Sequence, residues 1–204
     1  MKELGEVAAL IGRIAPCGAS TARRTEIVDF LQCVVGRMVS DLRLLGSGSS
    51  TSRTYLPVSD IDLVLLHRGP LSPALPTSNS SATSAADESM RYILSVFQAL
   101  CLEVAAADNS ARTTHALPPY VIRNVEFINA RTKVVHCVVN NIGVDITINQ
   151  PGAVSAAAFV EECDRLLGQQ HLLKRSLLLV KVRSRFVVCC CCCFLLLLSH
   201  QLTN

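Results

Sequence analysis

Residues 48–63, GSSTSRTYLPVSDIDL, decide how this chain is read. The Asp60-Ile-Asp62 triplet runs into Leu63-Val-Leu-Leu66, so the spacing predicts a strand over 60–66 that turns fully apolar at its far end. Such a strand is covered on both faces. Residues two apart on a strand project from one face. Asp60 and Asp62 therefore share a side, and Ile61 and Leu63 point into the core. Two carboxylates so placed repel each other unless a cation sits between them. Mg²⁺ takes oxygen ligands and keeps a nucleotide phosphate in its shell. A bare Asp-x-Asp is more often a solvated strand end or a turn closed by Ser59. The apolar strand after it and the Gly/Ser loop before it shift the balance here.

Gly46 to Ser52 contains only Gly, Ser and Thr. In the pair Gly48-Ser49, the glycine lets backbone approach a triphosphate, the start of a short helix directs N–H groups at anions, and the hydroxyl adds a donor. Gly46-Ser47 is a competing register. The excess of serine also fits an ordinary flexible turn. A third carboxylate for a two-metal site is found in Gly143-Val-Asp-Ile-Thr-Ile148. Asp145 and Thr147 share one face of that strand; Val144, Ile146 and Ile148 share the other. An acid within so apolar a strand is costly to bury unpaired, and a metal or general-base role would justify it. The alternative is an edge-strand acid facing water.

Outward from these segments, residues 3–14 read as a short helix ended by Pro16 and Gly18. Ser20 or Thr21 is placed to cap a helix with Arg23 to Val39 as its body. Its buried stripe is Ile27, Phe30, Leu31, Val34, Val35 and Met38. Leu42 to Leu45 is a short strand. Gly69 to Ala86 is rich in Ser, Pro and Ala and reads as a flexible insertion. Asp87 to Ala106 is an amphipathic helix with Ile93, Val96, Phe97, Leu100 and Val104 on one side. Residues 120–129 and 133–148 read as strands, with Asn140-Asn141-Ile142-Gly143 bending or bulging the second. Helices are expected over 153–167 and 170–184.

The chain has 204 residues, half of them apolar, which suits one domain with part of a second. A formal charge of +3 is mild; it permits a nucleic-acid partner without arguing for one. Five of the ten cysteines form the run Cys189 to Cys193. Cys17, Cys33, Cys101, Cys137 and Cys163 are scattered without zinc spacing and read as mostly buried, reduced thiols of an intracellular protein. Glu3 and Glu6 stand where a secretory signal needs basic residues. Phe186 to Leu198, FVVCCCCCFLLLL, has no period and falls short of the roughly 20 residues a membrane helix needs. It reads as residues outside the native fold, produced by a frameshift, a retained intron or a wrongly predicted gene end. A tail anchor or palmitoylated segment is the weaker alternative, and no membrane partner is expected.

The whole of residues 48–62 resembles the G-S…Y-L-P-x-S-D-I-D signature of the non-canonical poly(A) polymerases, members of the polymerase β-like nucleotidyltransferases. Counting back from Leu56-Pro57 and Asp60 selects Gly48-Ser49. Ser52 stands where the family commonly has threonine. Val144-Asp145-Ile146-Thr147 is similar to the family's V-D-I-S-F strand. Leu177-Leu-Leu-Val-Lys181 is similar to the helix that opens its central domain. The resemblance runs from about 21 to 185 and implies an α+β fold, a palm with a small mixed sheet and flanking helices. It divides the chain into an extension (1–20), a catalytic domain (21–168), the start of a helical central domain (169–185) and an aberrant tail (186–204).

The resemblance also implies a reaction. Asp60, Asp62 and Asp145 would bind two Mg²⁺ (or Mn²⁺) ions, and Asp145 would orient or deprotonate an RNA 3′-hydroxyl for attack on ATP. Gly48, Ser49, Lys181 and, more weakly, Arg185 would hold the triphosphate. RNA-binding or helicase subunits are the expected protein partners, and the nucleus the expected location. In the family a helical central domain follows and reads the base. Here FVVCCCCCFLLLL follows, so a weakly active or inactive fragment is one expectation, beside an adenylyl and a uridylyl transferase. A small antitoxin-like or aminoglycoside-type nucleotidyltransferase shares the Gly-Ser and Asp-x-Asp pieces but explains Tyr55-Leu56-Pro57 less well.

Overall fold

The structure is a computed structural model, and it describes residues 2–67, 82–114 and 119–184. The elements in chain order are α1 (Lys2–Ile14), α2 (Gly18–Gly36), β1 (Leu42–Ser47), α3 (Gly48–Thr51), β2 (Ile61–His67), α4 (Ala82–Thr114), β3 (Ile122–Asn129), β4 (Lys133–Val139), β5 (Ile142–Ile148) and α5 (Pro151–Leu167). A further helix, α6, covers 172–184. The strands form one mixed sheet in the order β1-β2-β5-β4-β3, with β2 and β5 parallel and every other pair antiparallel.

Alternation within the strands sorts the two faces. Ile61, Leu63, Val144 and Ile146 are at most 1% exposed and pack with Val135 and Cys137 against α2 and α4. Ile27, Leu31, Val34 and Val35 of α2 and Ile93, Val96, Ala99 and Leu100 of α4 close that layer. Each large aliphatic side chain so buried contributes about 1.5–3 kcal/mol. α3 and α5 lie against β1 and β2 on the other side, which accounts for the burial of Val64 on that side. Asp87–Asn109 is long and apolar enough to cross a membrane, but its apolar stripe is the one packed on the sheet.

Several expectations change. Cys17 caps α2, accepting from the Ser20 N–H at 3.4 Å while Ser20 Oγ accepts from the Cys17 N–H at 3.1 Å. Ser20 and Thr21 instead hold the Tyr55 hydroxyl, at 2.8 and 3.0 Å. Met38 lies beyond the end of α2 and is exposed. The expected insertion over 69–86 is shortened: 69–81 lie outside the described residues, and 82–86 are the first turns of α4. The tail over 186–204 also lies outside them.

The second β-run is two strands. Asn140 and Asn141 have φ of +48° and +67°, the pair of left-handed residues that a two-residue hairpin turn requires. The turn is pinned by Asn140, whose Oδ1 accepts from the Val121 N–H at 2.9 Å and whose carbonyl accepts from Arg23 at 2.7 Å. The irregularity expected there is found in β3, between Arg123 and Glu126. Of the five described cysteines, all free, Cys137 is buried and Cys17 and Cys33 are exposed.

Candidate active site

The hairpin register builds the site. β5 is the central strand, so Asp145 is not an edge-strand acid. Asp145 pairs with Asp62 on one side and with His136 on the other. Asp62 also pairs with Ser47 at the end of β1, where the Gly48 loop begins. Neighbouring strands lie about 4.8 Å apart. Ser47, Asp62, Asp145 and His136 thus form one row across the sheet. Asp60 precedes β2 by one residue and lies over Gly143, where an added Cβ would approach its Cγ to 2.8 Å. Any larger residue there would displace the Asp60 carboxylate from this position.

Gly48 sits at φ +60°, and a Cβ on it would collide with the Asp62 carboxylate. The backbone N–H of Ser49 acts on that carboxylate, lowering its pKa. Hydroxyls brace the loop from behind. Ser52 Oγ donates to the Gly48 carbonyl at 3.1 Å and lies 2.9 Å from Thr54 Oγ1. Lys181 of α6 reaches the same place, donating to the Thr54 carbonyl at 2.8 Å. Its charge acts on Asp62. Arg185 lies outside the described residues.

Burial raises the pKa of Asp62, and the Asp145 and Asp60 carboxylates raise it further, against Lys181 and the Ser49 N–H. Burial is the larger cause; the share owed to the neighbouring carboxylates is like-charge repulsion, which a divalent cation would relieve. Among the described residues no three acidic, histidine or cysteine side chains already converge as a metal cage. The carboxylates have different surroundings: Asp60 lies over Gly143, the Ser49 N–H acts on Asp62, and Asp145 lies 2.7 Å from His136 Nδ1. The donor set fits Mg²⁺ or Mn²⁺ in charge, oxygen chemistry and backbone spacing.

The sequence reading missed two residues. Arg24 is buried; its guanidinium lies 4.1 Å from the Tyr55 ring centroid and donates to Ser50 Oγ at 3.0 Å, the Ser59 carbonyl at 2.5 Å and the Asp60 carbonyl at 3.2 Å. It fastens the whole Tyr55–Asp60 segment to α2. Its signal is its place in the stripe, three residues before Ile27 and seven before Leu31. His136 is the other, and its signal is the Asn140-Asn141 turn.

Residues 5–161 match the family model for the central palm domain of mitochondrial-like poly(A) RNA polymerase. The chain belongs to that palm family. No curated protein matches it. Among solved structures, this palm is similar to a cytoplasmic RNA terminal U-transferase (19% identity, TM-score 0.60, covering 89% of this chain and 43% of that one). It is also similar to Cid1, an RNA terminal uridylyl transferase (19%, 0.63, 89% and 45%). The Cid1 complex with the UTP analogue UMPNPP matches at 17% identity and TM-score 0.62, with 88% and 46% covered. The chain spans less than half the length of these proteins. The fold here is therefore that family's palm, shared with these structures.

Proposed function

We propose that this palm serves a template-independent RNA 3′-end nucleotidyltransferase that adds AMP from ATP. The observation behind the reading is the row of Asp62 and Asp145 on parallel neighbouring strands, beside a Gly48-Ser49 loop whose N–H already seeks negative charge. In this reading Asp60, Asp62 and Asp145 hold Mg²⁺ or Mn²⁺, which when bound stabilises charge on the entering and leaving oxygens. Gly48 and Ser49 face the β- and γ-phosphates, and Lys181 adds positive charge from α6. Asp145 orients the RNA 3′-hydroxyl and takes its proton. The new bond joins that oxygen to the α-phosphorus; the bond to the β-phosphate oxygen breaks, and pyrophosphate leaves.

ATP as donor is supported by the poly(A) polymerase family model. The likeness to Cid1, solved with a UTP analogue, supports uridylyl transfer as the second reading.

The test uses the full chain, a labelled RNA primer and each NTP with Mg²⁺ or Mn²⁺. Extension with ATP is expected, together with metal-dependent ATP binding. Both are lost in the double variant Asp60→Ala, Asp62→Ala. Extension with UTP alone favours uridylyl transfer. Binding without extension makes the chain a triphosphate-binding module. Binding and extension unchanged by the double substitution would end the metal-site reading.

A further inference from the structure

We propose that His136 is the positioning residue of the third carboxylate: it fixes Asp145 in the orientation that presents one oxygen to a divalent cation. This rests on the metal-site reading above.

Three observations carry it. The first is the bond. His136 Nδ1 lies 2.7 Å from Asp145 Oδ1, and an ionised carboxylate only accepts, so Nδ1 carries the proton. Oδ1 is thereby engaged, and Oδ2 is the oxygen left for a cation or a hydroxyl.

The second is that the strand pair does not need this bond. β4 and β5 are already held by an unbroken ladder from Val134↔Thr147 to Val139↔Ile142. On the face that carries Asp145, β4 otherwise offers Val134 and Val138. A histidine between two valines, opposite an aspartate, adds a specific direction where apolar packing would suffice for stability.

The third is that, among the described residues, His136 is the one side-chain hydrogen-bond partner of the Asp145 carboxylate. A carboxylate that ligates a metal is commonly hydrogen-bonded from behind, and removing that outer partner weakens metal binding about 10–100-fold.

The test substitutes His136 with Asn, Gln and Leu in the full chain and measures Mn²⁺ binding by titration calorimetry or electron paramagnetic resonance, with thermal melting beside it. An Asn amide nitrogen falls where Nδ1 was; a Gln amide nitrogen falls where Nε2 was. Mn²⁺ affinity is expected to drop at least about tenfold in His136→Leu and His136→Gln, to return close to that of the unaltered chain in His136→Asn, and Tm to stay the same in all three. Two results overturn the proposal. One is equal affinity in all variants while Asp62→Asn loses Mn²⁺ binding. The other is an affinity loss that follows Tm and is shared by Asn and Gln. If Asp62→Asn also binds Mn²⁺ unchanged, the metal-site reading itself fails and this inference fails with it.

Discussion

Strands β2 and β5 have two faces made from alternate residues, and the faces obey opposite rules. On one, Ile61, Leu63, Val144 and Ile146 are at most 1% exposed and tolerate no polar neighbour. On the other, Asp62 and Asp145 stand side by side with Asp60 close by, and burial and like charge drive the Asp62 pKa up. The first face stabilises the fold. The second works against it, through burial of charge and a like-charge repulsion that a bound divalent cation would relieve. A one-residue slip in either strand would exchange the two sets, so the apolar face also fixes where the acids stand.

The comparison breaks most severely at Ile146, which is fully buried between the acid-bearing strand and the helical layer. Ile146→Ala is expected to lower stability by about 2–5 kcal/mol, read by urea unfolding, with Mn²⁺ affinity of the folded protein nearly unchanged. A loss of metal affinity at full stability would show that the two faces are not separable.

Gly143→Ala tests the other face. Its Cβ would approach the Asp60 Cγ to 2.8 Å, and Asp60, being exposed, can swing away. Stability is expected to change by less than about 1 kcal/mol, because alanine also restricts the unfolded chain. A misplaced carboxylate is expected to lower transfer about 10²-fold in primer-extension rates. Equal transfer by the variant would mean that Asp60 need not lie over residue 143.

Asp62→Asn carries a smaller and opposite effect on stability. The folded pKa of Asp62 is raised above 3.8, so protonation favours the folded state. That contribution is fully present below pH 3.8 and is lost as pH rises through the folded value. At pH 7 the ionised group is therefore a liability, and Asn is expected to raise Tm slightly while abolishing Mn²⁺ binding. The gain should vanish near pH 3.5, below the model-peptide range, and saturating Mn²⁺ should reverse the order of the two melting curves. A lower Tm for Asn at pH 7 without metal would show that the Ser49 N–H outweighs the repulsion.

How much of this was legible depended on how local each cause is. The Asp60–Leu66 strand was, because alternation and the apolar run are properties of seven consecutive residues. The face that Asp145 takes was, because the apolar residues Val144, Ile146 and Ile148 alternate with it. The strand count was not, because Asn140-Asn141 in sequence fits a bend within one strand as well as a turn between two. Read as a two-residue turn, it pairs Val139 with Ile142, and the same register sets His136 opposite Asp145. The information was therefore present and turned on one turn type. Arg24 was harder. Its helical spacing puts it on the buried stripe, but only the return of Ser59 and Asp60 supplies the carbonyls that make burying a guanidinium tolerable. Cys33 was misjudged because apolar neighbours in sequence say nothing of which helix face a residue takes.

The smallest effect is chemical, and Cys137 carries it. It alternates with His136 on β4, so it faces the apolar layer while its neighbour faces the acids. Burial first, and the Asp145 charge second, push its thiol up to about 12 from 9.0. Its thiolate is therefore almost absent at neutral pH, and the ring of side chains around it excludes reagent. Cys17 is the opposite case: it is exposed, and the Ser20 N–H on its sulfur lowers its pKa. Since the thiolate is the reactive form, a short iodoacetamide pulse at pH 7.5 with site-resolved mass spectrometry is expected to mark Cys17 well before Cys137, which is marked only after unfolding in urea. Because the raised pKa of Cys137 contributes stability that is lost only as pH climbs from 9.0 toward about 12, no change in this protection is expected between pH 6 and 8. Early labelling of Cys137 would mean that β4 opens to solvent while the rest of the sheet stays closed. The strand bearing His136 would then be too mobile to hold Asp145 in place.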